Sequence, residues 1–225
     1  MNDESAPSPR EVAALLRRPE GDLAVEVGLQ MNRVNAGLNR QCIACLDIAP
    51  GQEVLEIGPG NAAFANEITA GAEGVRYTGL DWSAAMVTQA RIHHRREVAA
   101  GRMRFEQGST QALPFEPASF DRILGVHVSY FWEEPLEHLR EIRRVMRPDA
   151  RLCLAIGERS FMEELPFTSH GFRLYSELEA REVLVAAGFD VLEVERYRES
   201  GTSNAGDYVD KQVNIYTCSP VSRKD

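Results

Sequence analysis

The 225-residue sequence predicts an α/β fold: a doubly wound sheet of seven strands, mostly parallel with an antiparallel final strand, helices on both faces and extra helices at the N-terminus. Three observations carry that prediction. From about residue 53 onward, short apolar runs alternate with segments of helical period, the pattern of a parallel sheet built from crossover helices. Val54-Leu55-Glu56-Ile57-Gly58-Pro59-Gly60 reads as a buried strand running into a glycine turn. The last two strand-like runs, Phe189 to Tyr197 and Val213 to Cys218, have no helix between them, so they pair antiparallel.

Residues 1–9 are polar and punctuated by Pro7 and Pro9, which predicts a disordered tail. Residues 10–50 read as a helical cap. Glu11 to Arg17 form a short helix ended by Pro19 and Gly21, and a helical pattern then runs from Asp22 to Ile48, broken near Gly28, weakened at Gly37 and stopped by Pro50-Gly51. Residues 51–225 form the main domain, a single globular unit with the cap. Its strands are expected at Glu53–Ile57, Val75–Leu80, Met103–Glu106, Phe120–Val128 and Arg151–Ile156, before the final pair. Helices are expected at Asn61–Ala70, from a Ser83 cap toward Ala99, at Glu134–Met146 and at Glu177–Ala187. Glu199 to Lys211 read as a polar loop between the last two strands.

A net charge of −9 and a pI near 5.2 argue against a nucleic-acid partner, because binding a phosphate backbone needs a basic footprint. A small-molecule partner fits better. The one basic cluster, Arg91 to Arg96, falls late in a helix and reads as a solvated end, where cations complement the dipole. With no basic start, no apolar leader and no stretch of membrane-span length, the expectation is a soluble, cytoplasmic protein. Cys42 and Cys45 form a C-x-x-C, yet they share helical spacing with Met31, Val34, Leu38 and Leu46, which makes them core thiols. A second ligand pair is missing, so no metal site is expected.

Gly58-x-Gly60-x-x-Ala63 satisfies the general dinucleotide fingerprint, and Asp81 stands where a ribose-binding acid belongs. A nicotinamide oxidoreductase is therefore a rival reading. Glu56 argues against it: a carboxylate two residues before the turn repels a pyrophosphate and attracts an ammonium. S-adenosylmethionine carries an amine, a ribose and no phosphate. Asp81 can accept two hydrogen bonds from a ribose diol, while Trp82 fits either an adenine contact or an ordinary core position. Asn32, Asn35 and Asn39 align on one helix edge, either as plain polar rim or as amides offered to a ligand.

Four segments in order, Val54 to Gly60, Gly79-Leu80-Asp81-Trp82-Ser83, Gln107 to Phe115 and Ser119 to Leu124, resemble the successive motifs of class I S-adenosylmethionine-dependent methyltransferases, of the small-molecule, methyltransferase-11-like type. The resemblance covers most of residues 25 to 218 and implies a Rossmann-like fold with S-adenosyl-L-methionine as cofactor. It implies that Glu56, Gly58, Pro59 and Gly60 hold the methionine part, that Asp81 takes the ribose, that Trp82 flanks the adenine, and that Ser109 and Thr110 lie beside the adenine amine. Ser109 departs from the aspartate common at that place. Met31 to Asn35 resemble the leading helix of small-molecule members, which turns Asn32 and Asn35 toward the cofactor.

Methyl transfer is an in-line displacement, for which positioning and exclusion of water supply most of the acceleration. A hydroxyl or thiol acceptor also needs a base. The segment Gly125 to Trp132 follows a strand whose carboxyl end faces the crevice. Within it His127 is the candidate base and Tyr130 a candidate orienting group; the plainer reading has Val126 and His127 touching the cofactor and the aromatics walling the pocket. Residues 158–175, rich in apolar and aromatic side chains, read either as a lid over the acceptor or as a packed loop. The non-enzymatic alternative is a ligand-binding or partner-binding module on the same fold.

Overall fold

The computed structural model describes residues 7–21 and 23–221. Three helices lead: α1 (Pro9–Arg17), α2 (Ala24–Val34) and α3 (Ala36–Cys45). α1 begins earlier than expected because Ser8 caps it, forming a reciprocal capping box with Glu11 that satisfies the free N–H groups of the first turn. The remainder of the expected tail, residues 1–6, lies outside the described residues. The break between α2 and α3 falls at Asn35, which leaves helical geometry with φ −109° and ψ 11°. Neither Gly28 nor Gly37 breaks a helix. Gly37 is a packing position: a Cβ there would collide with the Tyr197 hydroxyl and the Glu199 carboxylate.

The main domain follows as β1 (Glu53–Ile57), α4 (Ala65–Ala70), β2 (Arg76–Asp81), α5 (Ala84–His93), α6 (Arg95–Ala99), β3 (Met103–Gln107), β4 (Phe120–Val126), α7 (Pro135–Val145), β5 (Met146–Gly157), α8 (Arg159–Met162), α9 (Glu177–Ala186), β6 (Phe189–Thr202) and β7 (Tyr208–Pro220). The strands form one seven-stranded sheet in the order β3-β2-β1-β4-β5-β7-β6. All pairings are parallel except those of β7 with β5 and β6. The order reverses between β1 and β4, which opens a crevice at their carboxyl ends.

Alternation along β1 sorts its side chains. Leu55 and Ile57 enter one core layer with Leu139 and Ile142 of α7, while Val54 enters the other with Leu38 and Cys42 of α3 and Val87 of α5. Glu56 therefore shares the Val54 face and meets Tyr77 of β2. Such strands, buried on both faces, are apolar almost throughout, as the sequence shows.

Three of the further differences from expectation bear on the cleft and its surroundings. The helix placed at Asn61 starts only at Ala65, because Gly58, Gly60 and Ala62 all hold positive φ and keep the chain turning. The helix after Ser83 is interrupted at His94. That residue is buried, not a solvated end: Nε2 lies 2.9 Å from the Ala62 carbonyl and the ring stacks on Phe105. The supposed polar loop 199–211 is largely strand. Glu199 pairs with Lys211 and Ser200 with Asp210 across the hairpin, and such cross-strand polar pairs extend the ladder.

Candidate functional site

The crevice at the sheet's reversal point is a cleft of about 1110 Å³, counted to its open mouth. Its floor is the turn after β1. Gly58 and Gly60 hold φ of +65° and +58°, and a Cβ at Gly58 would overlap the Val128 side chain. Only glycine brings the backbone this close without strain.

Two carboxylates line the cleft, and both are withdrawn from water: Glu56 is 5% exposed and Asp81 6%. The Tyr77 hydroxyl donates to Glu56 at 2.6 Å. Burial, with the Asp81 charge adding to it against that hydrogen bond, pushes the Glu56 carboxyl up to about 7. Asp81 accepts from the N–H of Gly60 at 3.0 Å and of Ser83 at 2.8 Å. Burial outweighs these bonds and raises it to about 6. A cation brought into the cleft relieves the cost of ionising Glu56.

The residues after Asp81 also fasten the cap. Trp82 Nε1 donates to the Arg17 carbonyl at 2.7 Å, and Ser83 Oγ to that of Pro19 at 2.6 Å. The Arg17 guanidinium lies 5.3 Å from the Trp82 ring centre. Leu16, Arg17 and Pro19 consequently form part of the cleft wall. These were not among the residues singled out from sequence, and no local pattern marks them. Asn61 was missed as well; it is buried and accepts a hydrogen bond from Asn32 Nδ2 at 2.9 Å.

Every residue singled out from sequence for cofactor contact lies in the cleft wall: Asn32, Asn35, Glu56, Gly58, Pro59, Gly60, Asp81, Trp82, Ser109, Thr110, Val126 and His127. Asn39 also lines it and donates to the Asn35 carbonyl. Ser109 Oγ accepts from the Gln111 N–H at 3.2 Å, so it orders its own turn. Thr110 Oγ1 lies 2.5 Å from Nδ1 of His138, whose ring stacks on Trp132.

Tyr130 is in a second cavity, of about 620 Å³ to its mouth, that shares His127, Asn35, Met31, Leu16 and Phe131 with the first. His127 sits at the junction with φ +57°. The Gly157 N–H donates to the Tyr130 hydroxyl oxygen, which leaves the hydroxyl proton for His127 Nδ1, 2.9 Å away. Assigned from this pattern, the ring proton of His127 sits on Nε2. Burial first, then the Lys211 charge, lowers its pKa to about 4, so the imidazole is neutral.

Residues 158–175 pack as a wall. Phe161, Met162, Leu165, Phe167 and Tyr175 are buried in the core, and the Thr168 hydroxyl donates to the Met162 and Leu165 carbonyls. No helix among the described residues is long and apolar enough to cross a membrane.

Residues 55–154 match the family model described as "Methyltransferase domain". The phthiotriol/phenolphthiotriol dimycocerosates methyltransferase of Mycobacterium tuberculosis is 31% identical over 130 residues, which are 58% of this chain and 46% of that protein. This chain thus spans about half the length of the curated relatives it matches. Among solved structures, the [4+2]-cyclase SpnF aligns with a TM-score of 0.71 at 18% identity, covering 96% of this chain and 98% of that one. The phosphoethanolamine N-methyltransferase 2 of Haemonchus contortus, in complex with phosphomonomethylethanolamine and S-adenosylhomocysteine, aligns with a TM-score of 0.71 at 14% identity, covering 96% of this chain and 61% of that one. At these identities the structural matches speak to the fold.

Proposed function

We propose, from the match of residues 55–154 to a methyltransferase-domain model and from the Rossmann-like sheet, that this chain transfers a methyl group from S-adenosylmethionine to a small-molecule acceptor. The observation that carries the reading is the pair of buried carboxylates, Glu56 and Asp81, on either side of the Gly58–Gly60 turn. A phosphate-bearing dinucleotide gains nothing from Glu56, whereas an amino-acid nucleoside offers an ammonium to one acid and a diol to the other. The S-adenosylhomocysteine bound in the Haemonchus structure supports the same ligand class on this fold.

When bound, S-adenosylmethionine supplies a sulfonium methyl that moves to the acceptor's lone pair while the C–S electron pair returns to sulfur. The residues of the chain hold and exclude. Glu56 attracts the ammonium, the N–H groups and close backbone of Gly58 to Gly60 cradle the amino-acid part, and Asp81 receives the ribose hydroxyls. Trp82, Ser109 and Thr110 enclose the base, and Asn32 and Asn35 close from the cap, residues 10–50, which forms one unit with the domain at 51–225. Val126 and His127 bound the methyl end. With Nδ1 taken by Tyr130, His127 presents an N–H, so it orients an acceptor and does not take its proton. Positioning in a dry site is then the main source of rate.

Calorimetry with S-adenosylmethionine, S-adenosylhomocysteine and NAD tests the reading. Binding of both sulfur nucleotides and not of NAD is expected; tight NAD binding alone sinks it. The SpnF match shows that this fold also bears a named cyclase, so release of S-adenosylhomocysteine with an acceptor panel is the second arm.

A further inference from the structure

The second cavity has a composition that limits what can occupy it, given the methyl transfer proposed above. Its lining includes Phe161, Met162, Leu165, Phe167 and Phe172, together with Val209 of β7. Phe172 packs edge-on against Phe131 at 4.8 Å and tilts against Tyr130 and Phe167, so the lining is an interlocked aromatic cluster. The β6–β7 hairpin contributes Ser203, Asn204 and Lys211 to the lining.

Charge is absent in a usable form. No carboxylate lines this cavity among the described residues, so an ammonium acceptor would be buried without a counter-ion. Lys211 is the single cation in the wall among the described residues, and it is committed: Nζ donates to the Val34 carbonyl at 2.5 Å and to Glu199 at 3.0 Å. An anionic acceptor would have to compete with Glu199. Asn204 Oδ1, by contrast, is buried with no partner among the described residues, and a buried amide oxygen without a donor is costly. A ligand hydroxyl is such a donor.

We propose that this cavity is the acceptor site, that its occupant is an uncharged, largely apolar, ring-bearing molecule with a hydroxyl group, and that the tip of the β6–β7 hairpin selects it. The reactive end of the occupant lies at His127, where the two cavities join. The hydroxyl engages the hairpin turn at Asn204.

The test uses four probes of one skeleton at neutral pH, 2-naphthol, naphthalene, 2-naphthoate and 2-naphthylmethylammonium, with binding followed by ligand-observed NMR in the presence of S-adenosylhomocysteine. 2-Naphthol is expected to bind tightest, by about tenfold over either charged probe. Asn204→Ala should weaken 2-naphthol roughly fivefold, toward the value for naphthalene. Val209→Trp fills the cavity and should abolish binding of all four while S-adenosylhomocysteine, measured by calorimetry, binds as before. Equal or tighter binding of a charged probe overturns the proposal. So does wild-type binding of 2-naphthol to a cooperatively melting Val209→Trp variant, or no detectable 2-naphthol binding at millimolar concentration. If S-adenosylhomocysteine does not bind but the probe selectivity holds, the cofactor reading fails and the acceptor class stands.

Discussion

The cleft beside Gly58–Gly60 and the cavity under the β6–β7 hairpin meet at His127, and they are built by different chemistry. In the cleft, recognition comes from backbone geometry and two buried acids supplied by residues close to the ends of β1 and β2. In the second cavity it comes from apolar side chains drawn from α2, from residues 159–172 and from the hairpin, segments far apart in the chain. The first is a local arrangement that changes little when a distant loop changes. The second is a product of tertiary assembly, free to vary without disturbing the cleft.

Removing a cleft acid is the sharpest way to break that division. Asp81→Ala deletes the acceptor for the Gly60 and Ser83 N–H groups as well as the expected ribose contact. Affinity for S-adenosylhomocysteine should fall about 100-fold, as expected for two charge-assisted hydrogen bonds, while 2-naphthol binding stays within about twofold of wild type. Calorimetry on the two ligands reads both. Loss of both together would mean that the cavities form one cooperative site.

The pH dependence comes next in size. Glu56 is raised from an ordinary 4.5 to about 7 in the folded protein. Between those values the native state keeps a proton that the unfolded chain has lost, so this group's contribution to stability falls as pH rises through that window. An ammonium-bearing ligand needs the carboxylate and expels the proton. Affinity for S-adenosylhomocysteine should therefore rise about tenfold from pH 6 to pH 8, with proton release on binding. Isothermal titration in buffers of different ionisation enthalpy measures the release, and Glu56→Gln should remove most of the slope. Binding of the neutral probe should be flat over the same range.

The contrast also explains which parts of the site are legible in the sequence. The cleft floor was legible because glycine spacing, a strand-end carboxylate at Glu56 and another at Asp81 fall within short windows whose geometry the backbone imposes. The latch from Trp82 Nε1 to the Arg17 carbonyl was not, since it joins residues 65 positions apart through a carbonyl that any residue could supply. Asn61 escaped because the expected helix would have begun there, while Ala62 adopts φ +57° and continues the turn. The arginines beside His94 make it read as solvated in the sequence, and only its approach to Ala62 and Phe105 across the fold buries it. The hairpin was read as a loop because a two-faced polar strand lacks the apolar alternation that identifies a half-buried one. That reading concealed a wall of the second cavity.

At the junction itself, Tyr130→Phe separates orientation from fold. It removes the hydroxyl that links the Gly157 N–H to His127 Nδ1, leaving both buried groups short of a partner. A stability loss of about 1–3 kcal/mol is expected in urea unfolding. In the wild type, long-range proton–nitrogen NMR should report an Nε2-protonated ring, and in the variant a mixture of tautomers. A ring already mixed in the wild type would return His127 to candidacy as a base.

The smallest expected effect concerns how the two regions are joined. Lys211 Nζ reaches the last carbonyl of α2, at Val34, where a cation complements the helix dipole, and it pairs with Glu199 on the neighbouring strand. The next residue is Asn35, which lines both cavities. Lys211→Met keeps the length and apolar stem of the side chain but removes the charge, so it should cost about 1 kcal/mol or less in stability and leave the shape of the second cavity intact. Because no anion is recruited by Lys211 in this arrangement, affinity for 2-naphthoate should not fall. A fall would show that the lysine exchanges Glu199 for a ligand carboxylate, and the hairpin would then be a charge-reading wall and not an apolar one.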